Sequence, residues 1–290
     1  MTTLISLLLV ASLGLLLATA AAGLAAALAG VRPTQTALPD GSSTTRSGFD
    51  GRVPTVLGWG LAASAMMLGT ALLLRALATG HAPWSNLHEF SIAFATALLV
   101  THLLLARSYP IDGLAPLTAL LAAGLVGFAL GTDDVVQPLV PALQQPLLLT
   151  IHVGTAAIAY AVAGVAFLAA VAEIAQRATS DGIGLLPPAS VARALMHRAV
   201  LIAFPVLTIA IVLGSVWANL AWRSYWSNDP KELAAAATWL VFGAYLHVAG
   251  RRDRLGAVAP WLVVLGFAGV LFTYIGAGLF IVGEHSYGAS

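Results

Sequence analysis

Long apolar runs separated by short polar connections dominate the chain. A helix needs about 20 apolar residues to cross the hydrocarbon core, because its backbone polar groups must be satisfied within the segment. Eight runs approach or exceed this length, at residues 3–29, 55–78, 88–107, 114–131, 147–175, 197–219, 234–249 and 258–282. The pattern predicts an all-α, polytopic integral membrane protein with about eight transmembrane helices.

Composition supports a membrane location and excludes some kinds of chemistry. Only 9% of the 290 residues are charged and 59% are hydrophobic, whereas about a quarter of a soluble domain is charged. Lipid must therefore cover most of the surface. The net charge of +1 argues against nucleic acid as a partner. Since there is no cysteine, the chain has no thiol chemistry of its own, although it can act on the thiols of a partner.

The chain divides into two parts. Residues 1–54 contain an apolar helix and a polar loop rich in Pro, Gly, Ser and Thr, and residues 55–290 contain the main membrane domain. No Lys or Arg precedes the first apolar run, whereas a secretory signal begins with basic residues and has a shorter apolar core. We expect a retained transmembrane helix, and a cleaved signal is the alternative.

Basic residues are distributed unevenly between the two sides of the predicted bundle. Cytoplasmic connections carry an excess of Lys and Arg, and eight spans place both termini on one side. With both termini outside, ten of the thirteen basic residues lie inside, namely Arg32, Arg46, Arg52, Arg107, Arg177, Arg193, Arg198, Arg251, Arg252 and Arg254. The other three, Arg75, Arg223 and Lys231, lie outside. We therefore expect a cytoplasmic-membrane protein with an external segment at 217–232 and a cytoplasmic loop before residue 55.

The external segment contains three of the seven tryptophans. Such residues gather at membrane interfaces, so an aromatic belt is one reading of the segment. Asp229 is a good N-cap, Pro230 fits the first helical position and Glu232 the third. These carboxylates are therefore expected to cap a helix and not to catalyse a reaction.

The other reading is that the aromatic side chains stack on a flat apolar ligand. Trp222 and Trp226 are four residues apart and are expected to share one face of a short helix, with Trp217 and Tyr225 nearby. Haem fits such a surface. Its carboxylates need cations, for which the three external ones, Arg223, Lys231 and Arg75, are candidates.

Two histidines are placed to ligate the iron of such a ligand. His152 begins the fifth predicted helix and His285 follows the eighth, so both lie on the external side. Neutral imidazole is the usual protein ligand of haem iron. Interfacial histidines are also common, and from the sequence alone polar packing is the alternative for each.

At these residues the chain resembles the CcsA/ResC family of cytochrome c biogenesis proteins, part of a haem-handling superfamily with a tryptophan-rich WWD motif. The external segment carries Trp-Ala-Asn at 217–219 and Tyr-Trp-Ser-Asn-Asp-Pro-Lys-Glu at 225–232. Other matching stretches are residues 80–89, 146–153, 214–219, 238–247, 272–274 and 285–288. The resemblance covers roughly residues 55–288 and depends on several matches in the same order.

The resemblance implies a function and a set of ligands. The family carries haem b outward as cargo. With a membrane subunit of the ResB/CcsB type, it joins haem to the two cysteines of an apocytochrome c Cys-X-X-Cys-His motif, as part of a haem lyase. Its two external haem ligands match His152 and His285. A histidine of an inner haem site matches His247, and its partner ligand is expected from the ResB/CcsB subunit.

The sequence departs from the family pattern at four positions. Asn228 stands where a third tryptophan is usual, and Leu220 stands where a glutamate is usual. Arg223 replaces a common glycine and His88 a common tyrosine. The missing indole removes stacking area for a porphyrin, whereas Arg223 offers a cation for a carboxylate.

Three other functions fit parts of the pattern. A haem exporter like CcmC would hand its cargo to a chaperone, but such relatives have six helices. A b-type electron-transfer cytochrome needs facing histidine pairs, and only His247 and His102 are candidates for an inner pair. A small-solute transporter would show inverted repeats or paired broken helices, which are not evident in the sequence.

Overall fold

The computed structural model describes residues 2–29, 34–37, 43–46, 53–133, 146–180, 182–250, 254–277, 281 and 283. Every predicted span coincides with a helix. The eight helices are α1 Thr2–Leu28, α2 Val53–Thr79, α3 Leu87–Leu105, α4 Ala115–Leu130, α5 Pro146–Ala178, α6 Ala189–Trp222, α7 Pro230–Val248 and α8 Arg254–Leu271. Helix α6 begins eight residues before the predicted 197, because a helix continues past the apolar run that defines a span.

Seven helical segments in the described part of the chain are long and apolar enough to cross a membrane, which confirms a polytopic membrane protein. Helix α7 is not among them. It nevertheless lies antiparallel to both α6 and α8. The Trp239 indole donates a hydrogen bond to the Thr208 hydroxyl of α6 at 2.8 Å, and Phe242 packs against Gly266 of α8.

Helix α5 is the most deeply buried of these seven segments and packs against α3, α6 and α8. Helix α1 packs against α2 and α4 at the other side of the bundle. Small residues allow the close approaches, as where Gly23 of α1 meets Pro116 and Gly60 of α2 meets Thr19. Close packing of this kind drives helix association in lipid, where water is absent.

Within the described residues there is one short sheet beside the helices, which is an exception to the all-α prediction. Strand β1, Thr34–Ala37, pairs antiparallel with β2, Ser43–Arg46, inside the polar loop between α1 and α2. Each strand holds two threonines, a β-branched residue that favours extended backbone. The hairpin lies within the loop and leaves the helical membrane domain unchanged.

Candidate functional site

A large pocket lies at the end of the bundle where α5 begins, α6 ends and α7 begins. It encloses about 1230 Å³ of empty space, including the part open to the surroundings. Its aromatic lining consists of Trp84, Phe90, Tyr160, Trp217, Tyr225, Trp226 and Tyr274. The pocket therefore suits a ligand with flat apolar faces.

His152 projects from α5 into the pocket with a defined orientation. Its Nδ1 lies 2.9 Å from the Ala210 carbonyl oxygen of α6. Because a carbonyl only accepts, Nδ1 carries the proton and donates it. The other nitrogen, Nε2, then carries the lone pair with which an imidazole ligates a metal. Hydrogen bonding thus selects the tautomer that an iron ligand needs.

Two neighbours hold the His152 ring from its sides. The ring stacks on Trp217 with centroids 6.1 Å apart and an interplanar angle of 12°. Gly214 makes room on α6, since a Cβ atom there would lie 2.7 Å from the imidazole Cε1. The imidazole is therefore confined between α6 and the pocket.

The last turns of α6 hold two tryptophans in different environments. Trp217 is 2% exposed and lines the pocket. Trp222 is half-buried and meets Trp217 edge-on, with ring centroids 4.8 Å apart and an angle of 78°. It is not part of the pocket lining. Trp222 therefore supports the wall that Trp217 forms.

The prediction that Trp222 and Trp226 share a helix face is wrong. Helix α6 ends at Trp222 because Arg223 adopts a left-handed conformation with φ 61°. The chain then continues irregularly, and Tyr225 and Trp226 are exposed residues on the rim of the pocket. The Trp226 indole donates a hydrogen bond to the Asn228 side-chain oxygen at 2.9 Å, which fixes the ring at the rim.

Backbone geometry accounts for Asn228 but not for Arg223, two of the departures from the family pattern. Arg223 and Asn228 have φ angles of 61° and 60°. Glycine adopts this left-handed region at no steric cost, and asparagine tolerates it better than bulky residues do. The glycine usual at the position of Arg223 fits its geometry, and Asn228 suits a turn where a tryptophan would be strained. The Arg223 side chain is exposed and does not line the pocket.

The start of α7 confirms the predicted capping. The Asp229 carboxylate accepts the Lys231 backbone N–H at 2.9 Å, and Glu232 accepts the Asp229 N–H at 3.1 Å. Pro230 occupies the first turn. The half-buried Lys231 lines the pocket. Burial lowers the pKa of its ammonium, and the Asp229 carboxylate opposes that shift.

A buried ion pair, which the sequence analysis did not assign to the site, supports the wall formed by residues 84–87. The Nε of Arg75 on α2 lies 2.8 Å from the Oε1 of Glu89 on α3, and the two side chains are 5% and 1% exposed. The second Glu89 oxygen accepts the Ser85 backbone N–H and hydroxyl at 2.8 and 2.7 Å. Charged residues inside two apolar runs were the available signal, because such residues are costly in a membrane.

A change of helical geometry at the pocket was also not predicted from the sequence. Helix α8 continues into a π-helical turn, Phe272–Gly276, which presents Thr273 and Tyr274 to the pocket. The Tyr274 hydroxyl bonds to the Ser91 hydroxyl of α3. Such turns occur frequently at functional sites. The only signal in the sequence was the family match at 272–274.

The remaining histidines differ from His152. His247 is exposed in the last turn of α7, at the end of the helix opposite the pocket. His102 is buried, and its Nδ1 lies 2.8 Å from the Thr118 hydroxyl, whereas His247 is exposed. His285 lies outside the described residues. Gly283, two residues before it, lies against Asp229 and Pro230.

Comparisons with known proteins show the family of the chain. A family model described as "Cytochrome C assembly protein" matches residues 84–285. The "Cytochrome c biogenesis protein CcsA" of Synechococcus sp. (strain CC9605) is 36% identical over 260 residues, which cover 79% of this chain and 85% of that protein. The CcsA of Parasynechococcus marenigrum (strain WH8102) is 34% identical over 254 residues, covering 77% of this chain and 83% of that protein.

The chain also shares its fold with a solved structure. That structure is titled "Cytochrome c Heme Lyase CcmF" and matches with a TM-score of 0.60 at 23% identity. The match covers 98% of this chain and 48% of that chain, so the present fold corresponds to about half of the larger protein. From its sequence relatives and the family model, the chain belongs to the CcsA family of cytochrome c biogenesis proteins.

Proposed function

We propose that the chain binds haem in this pocket and presents it for covalent attachment to the Cys-X-X-Cys-His motif of an apocytochrome c. A ResB/CcsB-type membrane subunit is the proposed partner, and the two together form a haem lyase. The observation that carries the proposal is the orientation of His152. Its ring faces the pocket, stacks on Trp217 and donates Nδ1–H to Ala210.

The chemistry of the pocket suits a porphyrin. Aromatic side chains give its faces the apolar and stacking contacts that a macrocycle needs. Trp217 does so from a buried position, and Tyr225 and Trp226 do so from the rim. The imidazole of His152 suits the iron of haem b, which is bound here as cargo.

The second axial ligand in the proposal is His285. Gly283 packs against the N-cap of α7, beside the aromatic segment. Two residues of extended chain span at most about 7 Å, and the proposal uses this reach to bring His285 to the pocket entrance. This supports the convergence of two imidazoles on one iron atom.

The proposed topology has eight spans, with the pocket on the periplasmic or extracellular side and both termini outside. Helix α7 supplies the eighth span. Its antiparallel contacts extend from Trp239 beside Thr208 to Tyr245 beside His197, so it lies alongside α6 over residues 197–208. The excess of basic residues at the opposite end supports this orientation.

His247 is the proposed ligand of an inner haem site. It is exposed at the end of α7 opposite the pocket, so a residue of the ResB/CcsB-type subunit is able to approach it. In this proposal haem enters beside His247 and reaches His152 for attachment.

Attachment adds a thiol S–H bond across each vinyl double bond, so it needs no leaving group. The contribution of the chain is to hold the vinyl groups beside the two cysteines, and such positioning lowers the barrier by removing the entropy of encounter. Asp229 contributes by fixing the start of α7, and Trp222 by supporting Trp217.

A cytochrome maturation assay tests this function. Cells that express the chain, its ResB/CcsB-type partner and a reporter apocytochrome c are compared with cells that carry His152→Ala together with His285→Ala. We expect the double variant to accumulate in the membrane and to lose covalent haem on the reporter. Unchanged attachment in the double variant would refute the proposal.

A further inference from the structure

The structure separates the three cations that the sequence offers for the carboxylates of haem. Arg75 is 4% exposed and bonded to Glu89. Arg223 is exposed and does not line the pocket. Lys231 lines the pocket on the side where α7 begins. Among the described residues, Lys231 is therefore the basic side chain that faces the proposed cargo.

The carboxylates beside Lys231 are engaged by backbone groups. Asp229 accepts the N–H of Lys231 itself at 2.9 Å. Glu232, which also lines the pocket, accepts the amides of Ser227 and Asp229 at 2.8 and 3.1 Å. None of the ion pairs found among the described residues involves Lys231.

The surroundings of Lys231 favour an anionic ligand. The pocket that it lines is largely apolar, with Trp217, Tyr225 and Ala235 among the lining residues. A half-buried ammonium in such a setting is stabilised when a counter-charge replaces lost hydration. A carboxylate on the ligand supplies that charge and accepts a charge-assisted hydrogen bond.

We infer that Lys231 binds a carboxylate of the haem cargo and so sets which edge of the macrocycle faces the start of α7. The inference rests on the proposed function. Haem carries both carboxylates on one edge, so an anchor at Lys231 directs that edge to α7 and the vinyl-bearing half away from it. The capping box holds the anchor in place through Asp229 and Glu232.

The test measures how tightly the chain binds two ligands. One is haem, and the other is haem dimethyl ester, in which both carboxylates are blocked. Lys231→Met keeps the length and apolar bulk of the side chain, and Lys231→Arg keeps the charge. Arg107→Met removes one positive charge at the α3–α4 turn, remote from the pocket. We expect Lys231→Met to weaken haem binding about tenfold, as for a lost charge-assisted hydrogen bond.

Binding of the ester shows whether Lys231 binds a carboxylate of haem or only supports the structure of the pocket. We expect Lys231→Met to bind the ester as well as wild type does, Lys231→Arg to retain most of the haem affinity, and Arg107→Met to match wild type. Equal haem affinity in wild type and Lys231→Met overturns the inference and leaves haem binding intact. If Lys231→Met loses affinity for haem and for the ester equally, the inference is also overturned. It is overturned as well if Arg223→Met loses haem affinity tenfold while Lys231→Met does not. No binding of either ligand to wild type would overturn the proposed function itself.

Discussion

His152 and His247 lie toward opposite ends of the helical bundle, and their surroundings differ sharply. His152 is half-buried at the pocket, stacked on Trp217 and bonded to the Ala210 carbonyl. His247 is exposed in the last turn of α7. One imidazole is thus oriented before any ligand arrives, whereas the other is presented on a surface.

Two buried glutamates among the described residues show the same contrast. At the pocket end, both Glu89 oxygens have partners, and its partner Arg75 is 5% exposed. At the opposite end, Glu173 is fully buried, but its partners Arg177 and Arg193 are 40% and 44% exposed. The ion pair at the pocket end is thus buried on both sides, whereas the cations at the opposite end are partly exposed.

The largest difference between the two ends is expected in the unfolding free energy that is lost when each ion pair is broken. Glu89→Ala leaves Arg75 buried without that carboxylate, which costs about 3–5 kcal/mol of unfolding free energy. Arg193→Ala leaves Glu173 paired with Arg177 and removes a partly exposed partner, which costs about 0–1 kcal/mol. Unfolding of the detergent-solubilised variants measures both values, and equal losses would contradict the contrast.

A smaller effect is expected on haem affinity when the His152 ring is displaced and the imidazole itself is kept. The methyl group of Gly214→Ala would lie 2.7 Å from the imidazole Cε1, so the ring must move. We expect haem binding to weaken on the order of tenfold, because small misplacements of a positioned group are costly.

The matched variant is Gly154→Ala on α5, where an added Cβ meets no heavy atom within 4 Å. It is expected to keep the haem affinity and to gain up to about 1 kcal/mol of stability from helix propensity. Haem titration of both variants checks the pair. Equal affinities in the two variants would show that the packing of His152 against α6 does not position it.

The smallest expected effect concerns the rim of the pocket. Arg223→Gly relieves a left-handed residue with φ 61° and is expected to raise the unfolding free energy by about 1 kcal/mol. Arg223→Ala keeps the Cβ atom and gains no such relief. Unfolding of the two variants measures the difference, and an equal change in both would exclude the conformational explanation.

The sequence predicted the helices and the capping better than the shape of the site. Each of the eight apolar runs coincides with a helix, and Asp229 and Glu232 form the expected capping box. Periodicity did not reveal that α6 ends at Trp222, because that break depends on the conformation of one residue, Arg223. The shared face expected for Trp222 and Trp226 was therefore wrong.

Other features of the pocket depend on contacts between distant parts of the chain. The Nδ1 proton of His152 is fixed by Ala210, which is 58 residues away. The Tyr274 hydroxyl of the π-helical turn bonds to Ser91, which is 183 residues away. Neither contact leaves a periodic pattern in the sequence, so the tertiary fold was needed to find them.

The coordination of the iron in haem bound to the full-length chain tests the central claim most directly. Electron paramagnetic resonance of the ferric complex distinguishes a low-spin iron with two imidazoles from other states. The account predicts that signal in wild type and in the matched variant His88→Ala, whose native ring is buried against the Ala129 carbonyl. It predicts loss of the signal in His152→Ala, and the wild-type signal persisting in His152→Ala would contradict the account.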